Sequence, residues 1–166
     1  MSTGELAILV DEDDNIIKYK DRYKLGPQDR MRMVVVWIEN NKGEVLIHKR
    51  ADSKKVGPGL WENAVGGGVA KGESYEEAAY KELSEELGVD DIKLEFIGKT
   101  QFTSHNGPKM CAWYKGRTNK SLNDLSPDER EVQEVKWINA DELYADRDKN
   151  PQNYMPSSKN WQKLFN

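Results

Sequence analysis

The chain has little of what several function classes require. Of 166 residues only one is cysteine, Cys111, which excludes an internal disulfide framework and a four-thiolate zinc site. Two histidines, His48 and His105, argue against a His-rich metal centre. There is no long apolar run. The longest, Met33-Val34-Val35-Val36-Trp37-Ile38, is far short of the ~20 residues that span a bilayer. Basic residues are not in excess either: 25 Lys and Arg against 29 Asp and Glu leave a net charge of −4. A general nucleic-acid binder usually carries a basic stripe, so that class is disfavoured. No basic stretch leads into an apolar one at the N-terminus, so no signal peptide is expected. Internal repeats and low-complexity tracts are missing too. What remains is a soluble, cytoplasmic, globular protein. Its length fits one domain over residues 1–166, large enough to hold a core without staples.

The apolar pieces at 5–10 and 15–19, separated by Asp11-Glu12-Asp13-Asp14, predict a hairpin within an N-terminal extension over 1–29. Residues 20–30 read as a connection. Met31 to Glu39, with three consecutive valines, predicts a central strand, and Val45 to Ile47 its return. Trp61 to Val65 predicts a short strand ending at Gly66-Gly67-Gly68. Further strands are predicted over 92–103, 109–115 and around Val132, Val135 and Trp137, with helices over 140–145 and 158–165. The clearest helix runs from Tyr75 to Leu87: Ser74 with Glu77 fits a capping box, and Gly88 stands where a left-handed cap belongs. Mixed strands and few helices indicate an α+β fold.

On a helical wheel Glu82, Glu85 and Glu86 share an arc of about 100°. Ala79, Leu83 and Leu87 form the neighbouring apolar stripe, so the carboxylates sit at the edge of a buried face. Like charges at these spacings each cost a helix roughly 0.2–0.5 kcal/mol. A hard divalent cation would reverse that repulsion. A solvated acidic face, relieved by Lys81 paired with Glu77 and Glu85, is the better explanation of the helix taken alone. Gly66, Gly67, Gly68 and Gly72 before the helix let a backbone pass close to a ligand, although they also suit an ordinary tight connection.

Read together, these residues spell Gly67, five residues, Glu73, seven residues, then Lys81-Glu82-Leu83-Ser84-Glu85-Glu86-Leu87-Gly88-Val89. The stretch 67–89 resembles the Nudix box, Gly-x5-Glu-x7-Arg-Glu-apolar-x-Glu-Glu-x-Gly-apolar. Every defined position matches except Lys81, where the family usually has arginine.

The resemblance implies a mixed sheet sandwiched between helices, an α/β/α arrangement, with the box forming a loop–helix–loop. It implies hydrolysis of a diphosphate linkage in a nucleoside diphosphate derivative, assisted by Mg²⁺ or Mn²⁺. Carried over by position, Glu82, Glu85, Glu86 and the carbonyl of Gly66 would hold metal, with Glu82 also a candidate base. Glu73 would pair with Lys81, although lysine lacks the bidentate fork of arginine. The family often uses a further acid beyond the box, and Glu131 and Glu134 are the candidates. For the substrate, Arg50 could grip a phosphate, with Arg32 and Arg30 weaker choices. Trp61 and Phe102 could stack on a base, although core packing explains such aromatics too. Cys111 is expected to pack rather than react. The partner is then a small-molecule diphosphate, with no nucleic acid or membrane, and the protein a monomer or homodimer.

The hairpin, with residues 49–54 and 57–61, is also similar to the isopentenyl-diphosphate isomerase branch of the superfamily. That branch places a catalytic cysteine after the tryptophan-centred strand and uses metal-binding histidines. Trp61-Glu62-Asn63-Ala64-Val65-Gly66 contains neither. Isomerase chemistry is therefore disfavoured against hydrolysis. A nucleotide-binding module that does not hydrolyse stays open as an alternative, on the strength of Lys81.

Overall fold

The computed structural model describes residues 4–160. The fold is α+β. Nine strands form a mixed, curled sheet: β1 (Leu6–Val10), β2 (Ile16–Asp21), β3 (Met31–Glu39), β4 (Glu44–Arg50), β5 (Trp61–Glu62), β6 (Val65–Gly68), β7 (Leu94–Ser104), β8 (Gly107–Arg117) and β9 (Val132–Asn139). Among the described residues two α-helices accompany them, α1 (Tyr75–Leu87) and α2 (Ala140–Lys149). No described helix is long and apolar enough to cross a membrane.

Alternation along β3 explains the layering. Val34, Val36 and Ile38 are buried with Ala78, Ala79, Leu83 and Leu87 of α1. Trp37, on the other face, packs with Val45, Ile47 and Leu143 and Tyr144 of α2. The sheet is thus sandwiched between helices, as the sequence predicts. Fully burying a side chain such as Leu83 contributes about 1.5–3 kcal/mol, and a run of valines can serve both faces only in a central strand.

α1 begins and ends where its caps dictate. Ser74 Oγ accepts the N–H of Glu77 at 3.1 Å, and Glu77 Oε2 accepts that of Ser74 at 2.8 Å. Gly88 closes the helix at φ 64°, a conformation that favours glycine.

The sheet opens where the chemistry gathers. β3 and β4 pair only at the Glu39–Val45 end of their hairpin. Beyond it, β3 pairs instead with β6, Met33 to Val36 against Gly68 to Val65, while β4 pairs with β5 at His48–Glu62 and Lys49–Trp61. The glycine run 66–68 is therefore strand, not the loop that glycine propensity suggests. Close packing is the reason: a Cβ at Gly66 would lie 2.6 Å from Val34 O, and one at Gly68 2.7 Å from Met31 Cε.

Other elements differ in extent. The predicted return strand grows to Glu44–Arg50, and the helix begun at Ala140 continues to Lys149. Residues 156–160 form a 3₁₀ turn, and the rest of the predicted 158–165 helix lies outside the described residues.

Candidate active site

The second half of α1 faces β6. Glu82 lies directly against Gly67, where a Cβ would stand 2.1 Å from Glu82 Oε1. A side chain at 67 would displace that carboxylate. Burial, reinforced by the charge of Glu85, pushes Glu82 up to about 7. Glu86 is pushed well above the ordinary carboxylate range by burial and then by Glu82, Glu62 and Glu131. Glu85 is exposed.

β4 and β5 supply the opposite wall. His48, 2% exposed, places Nε2 3.2 Å from Glu62 Oε2 and 3.7 Å from Glu86 Oε2. Arg50 donates from Nη1 to Glu62 Oε2 at 2.8 Å and from Nε to Val56 O at 2.9 Å. Burial works to raise Glu62, but His48 and Arg50 outweigh it and hold the carboxyl below its usual value. Neither His48 nor Glu62 was a sequence candidate. Alternation puts His48 and Arg50 on one face of β4, but the predicted strand at Trp61 does not itself reveal the pairing that brings Glu62 opposite His48.

Lys81 does not relieve its helix neighbours as the solvated-face reading supposes. Its Nζ donates to Glu73 Oε1 at 3.1 Å and Glu5 Oε1 at 2.9 Å, while Glu77 is taken up by the cap. Glu73 in turn accepts the Ala70 N–H at 2.9 Å through Oε2.

Glu131 and Glu134 separate. Glu131, ion-paired with Lys54, is close enough to raise both Glu82 and Glu86. Glu134 is exposed, and Lys49, opposite it across the β4–β9 ladder, lies on the face away from His48. Trp61 shares that far face: its ring has Lys136 Nζ at 4.3 Å and it packs on the α2 cluster. Phe102 packs beside Trp113, centroids 6.4 Å apart, in a cluster with Cys111, which is buried as expected. Arg32 is held by Asp14, Nε to Oδ1 at 2.7 Å, and lies over the Tyr75 ring. Arg30 reaches Glu12 at 3.7 Å. The structure thus sets Glu82, Glu86, Arg50 and Glu131 about one site, puts Gly67 rather than Gly66 against Glu82, and leaves Glu134, Trp61 and Phe102 elsewhere.

These donors suit a hard divalent cation, being carboxylate oxygens. Among the described residues no three His, Cys, Asp or Glu side chains converge as a ready-made ligand set. The fit rests on donor chemistry and on the tight Gly67–Glu82 seat.

A family model for the NUDIX domain matches residues 29–158. The chain belongs to the Nudix family. It is 34% identical to an uncharacterized Nudix hydrolase of Streptomyces coelicolor over 140 residues, 82% of this chain and 74% of that one. It is 32% identical to the isopentenyl-diphosphate Δ-isomerase of Citrobacter koseri over 81% of this chain and 77% of that one. Among solved structures, DR0079 of Deinococcus radiodurans superposes with a TM-score of 0.82 at 24% identity, covering 98% of this Nudix chain and all of that one. The relatives named hydrolases, with the intact acidic positions of the box, make this Nudix protein a pyrophosphohydrolase.

Proposed function

We propose that the enzyme hydrolyses the diphosphate linkage of a nucleoside diphosphate derivative, with Mg²⁺ or Mn²⁺ held by Glu82, Glu85, Glu86 and the carbonyl of Gly66. One observation carries this reading. Glu73, Glu62 and Glu131 each have a Lys or Arg partner. Among the described residues, Glu82, Glu85 and Glu86 have none, and only His48 approaches Glu86. Three acids on one helical arc with no salt bridge to Lys or Arg, offset only by the more distant charges of Lys81, Arg22 and Lys54, call for a cation from outside.

A bound divalent ion supplies charge neutralisation of the diphosphate and a lowered pKa for a coordinated water. Without metal, burial pushes Glu82 up to about 7; beside a bound cation the carboxylate would be held ionised and able to accept a proton from the attacking water. The water oxygen then bonds to phosphorus and the bridging phosphorus–oxygen bond breaks. His48, Glu62 and Arg50 hold the wall opposite Glu86, and Glu131 adds a further carboxylate. Arg50, already engaged with Glu62 and Val56, orients the β4–β5 loop and offers its remaining guanidinium nitrogen to a phosphate.

The binding-only alternative rests on Lys81, yet Lys81 reaches Glu73 as the box arginine would. Isomerisation has relatives by name, but residues 61–68 contain neither cysteine nor histidine, and Cys111 is sealed in β8.

The test is product analysis after incubating the protein with Mg²⁺, then Mn²⁺, and a panel of nucleotide and isoprenyl diphosphates. Cleavage of at least one nucleoside diphosphate derivative is expected, falling by about 10²–10⁴-fold in Glu82→Gln. No cleavage across the panel overturns the reading, and an allylic isomer formed from isopentenyl diphosphate would establish the other chemistry.

A further inference from the structure

The N-terminal hairpin is built into the box. β1 runs beside the segment leading to α1: Lys71 donates its N–H to Leu6 O at 2.8 Å, and Ala7 bridges to Ala70. At the hairpin tip Asp14, with its side chain only 8% exposed, accepts from Tyr75 Oη at 2.9 Å, Arg32 Nε at 2.7 Å and Lys99 Nζ at 2.6 Å. Tyr75 is the first residue of α1. At the other end Glu5 accepts from Lys81. The family match begins at residue 29, so Glu5 and Asp14 both lie outside it.

We propose that Glu5 is a positioning residue for the metal-binding face of α1, supplying the second carboxylate that Lys81 needs in order to replace the arginine of the box. An arginine fork grips one carboxylate at two points and so fixes its plane. A lysine ammonium is a point charge with three rotatable donors and fixes nothing through a single contact. Here the ammonium is held between two carboxylates, at 2.9 and 3.1 Å. Both are themselves restrained: Glu73 by the Ala70 N–H, Glu5 by Arg22 at 3.7 Å. Lys81 immediately precedes Glu82, so an ammonium fixed on both sides fixes the helix face that presents Glu82, Glu85 and Glu86. Groups that orient ligands in this way commonly alter metal affinity when removed.

The inference rests on those three glutamates being the metal ligands, and its test keeps the two apart. Mn²⁺ binding is measured by paramagnetic resonance in the parent, Glu5→Gln, Lys81→Arg and the double variant, with thermal melts alongside. Glu5→Gln is expected to weaken Mn²⁺ binding about tenfold. In the Lys81→Arg background the same change should cost less than about twofold, because arginine grips Glu73 unaided. Melting temperatures should fall equally in both backgrounds. Unchanged Mn²⁺ affinity in Glu5→Gln, or an equal loss in both backgrounds, overturns the role of Glu5 and leaves the metal site standing. A parent protein that binds no Mn²⁺ overturns both.

Discussion

Two sets of acids flank α1, and their surroundings push them in opposite directions. Asp14, at the N-terminal end, is shielded from water, and burial alone would raise it. Lys99, Arg32 and Tyr75 together hold it below its ordinary value. Glu82 and Glu86, on the helix's later turns, are also shielded, but no Lys, Arg or Tyr bonds to them, only His48 comes within 3.7 Å of Glu86, and both are raised. Burial is common to the two sets. The supply of donors is what differs, and an acid buried without donors marks a place built for a ligand rather than for stability.

The largest test of that contrast removes the charge at the satisfied site. Asp14→Asn is expected to lower unfolding free energy by about 2–3 kcal/mol in a denaturant titration, since charge-assisted hydrogen bonds are lost. Asparagine also tolerates the φ of 66° found there, so the backbone does not confound the result. A loss below about half a kcal/mol would mean that the three donors do no better than water.

The second test reads pH dependence without metal. Glu82 titrates near 7 in the folded state against an ordinary 4.5, so the native protein holds the proton more tightly. Stability from this group is present below 4.5 and lost as pH rises to about 7. Asp14 acts the other way: its contribution is present above its ordinary value of 3.8 and lost as pH falls below that. Melting curves of Glu82→Gln between pH 4.5 and 7.5 should therefore show less decline than the parent. Parallel curves would refute the assignment. Smallest is the cap: Ser74→Ala should cost about 1 kcal/mol, read by the same melts, with Mn²⁺ affinity nearly unchanged.

What the sequence revealed and concealed follows from the range of each interaction. α1 was legible to the residue because its limits are set locally, by Ser74, Glu77 and Gly88. The box carboxylates were legible because one helix carries all three. β6 was not, since its glycines are strand only by virtue of β3 lying against them. Glu62 and His48 meet across a ladder between segments with no shared pattern, and Glu131 and Glu134 could be told apart only once β9 had a register. Lys81 was read with the nearest acids on its own helix, whereas its true second partner lies 76 positions away.

The parallel pairing of β3 with β8 has a consequence for how the chain reaches this state. Met31 lies opposite Lys109 and Glu39 opposite Arg117, about eighty residues apart in the chain. During synthesis β3 emerges early with one long apolar edge bare, and that edge stays uncovered until β8 has been made. Such long-range closure slows folding and leaves a template for pairing with other chains. A chain cut between α1 and β8 would hold the whole box sequence and yet aggregate, for the strand against which the box is seated would have lost its partner.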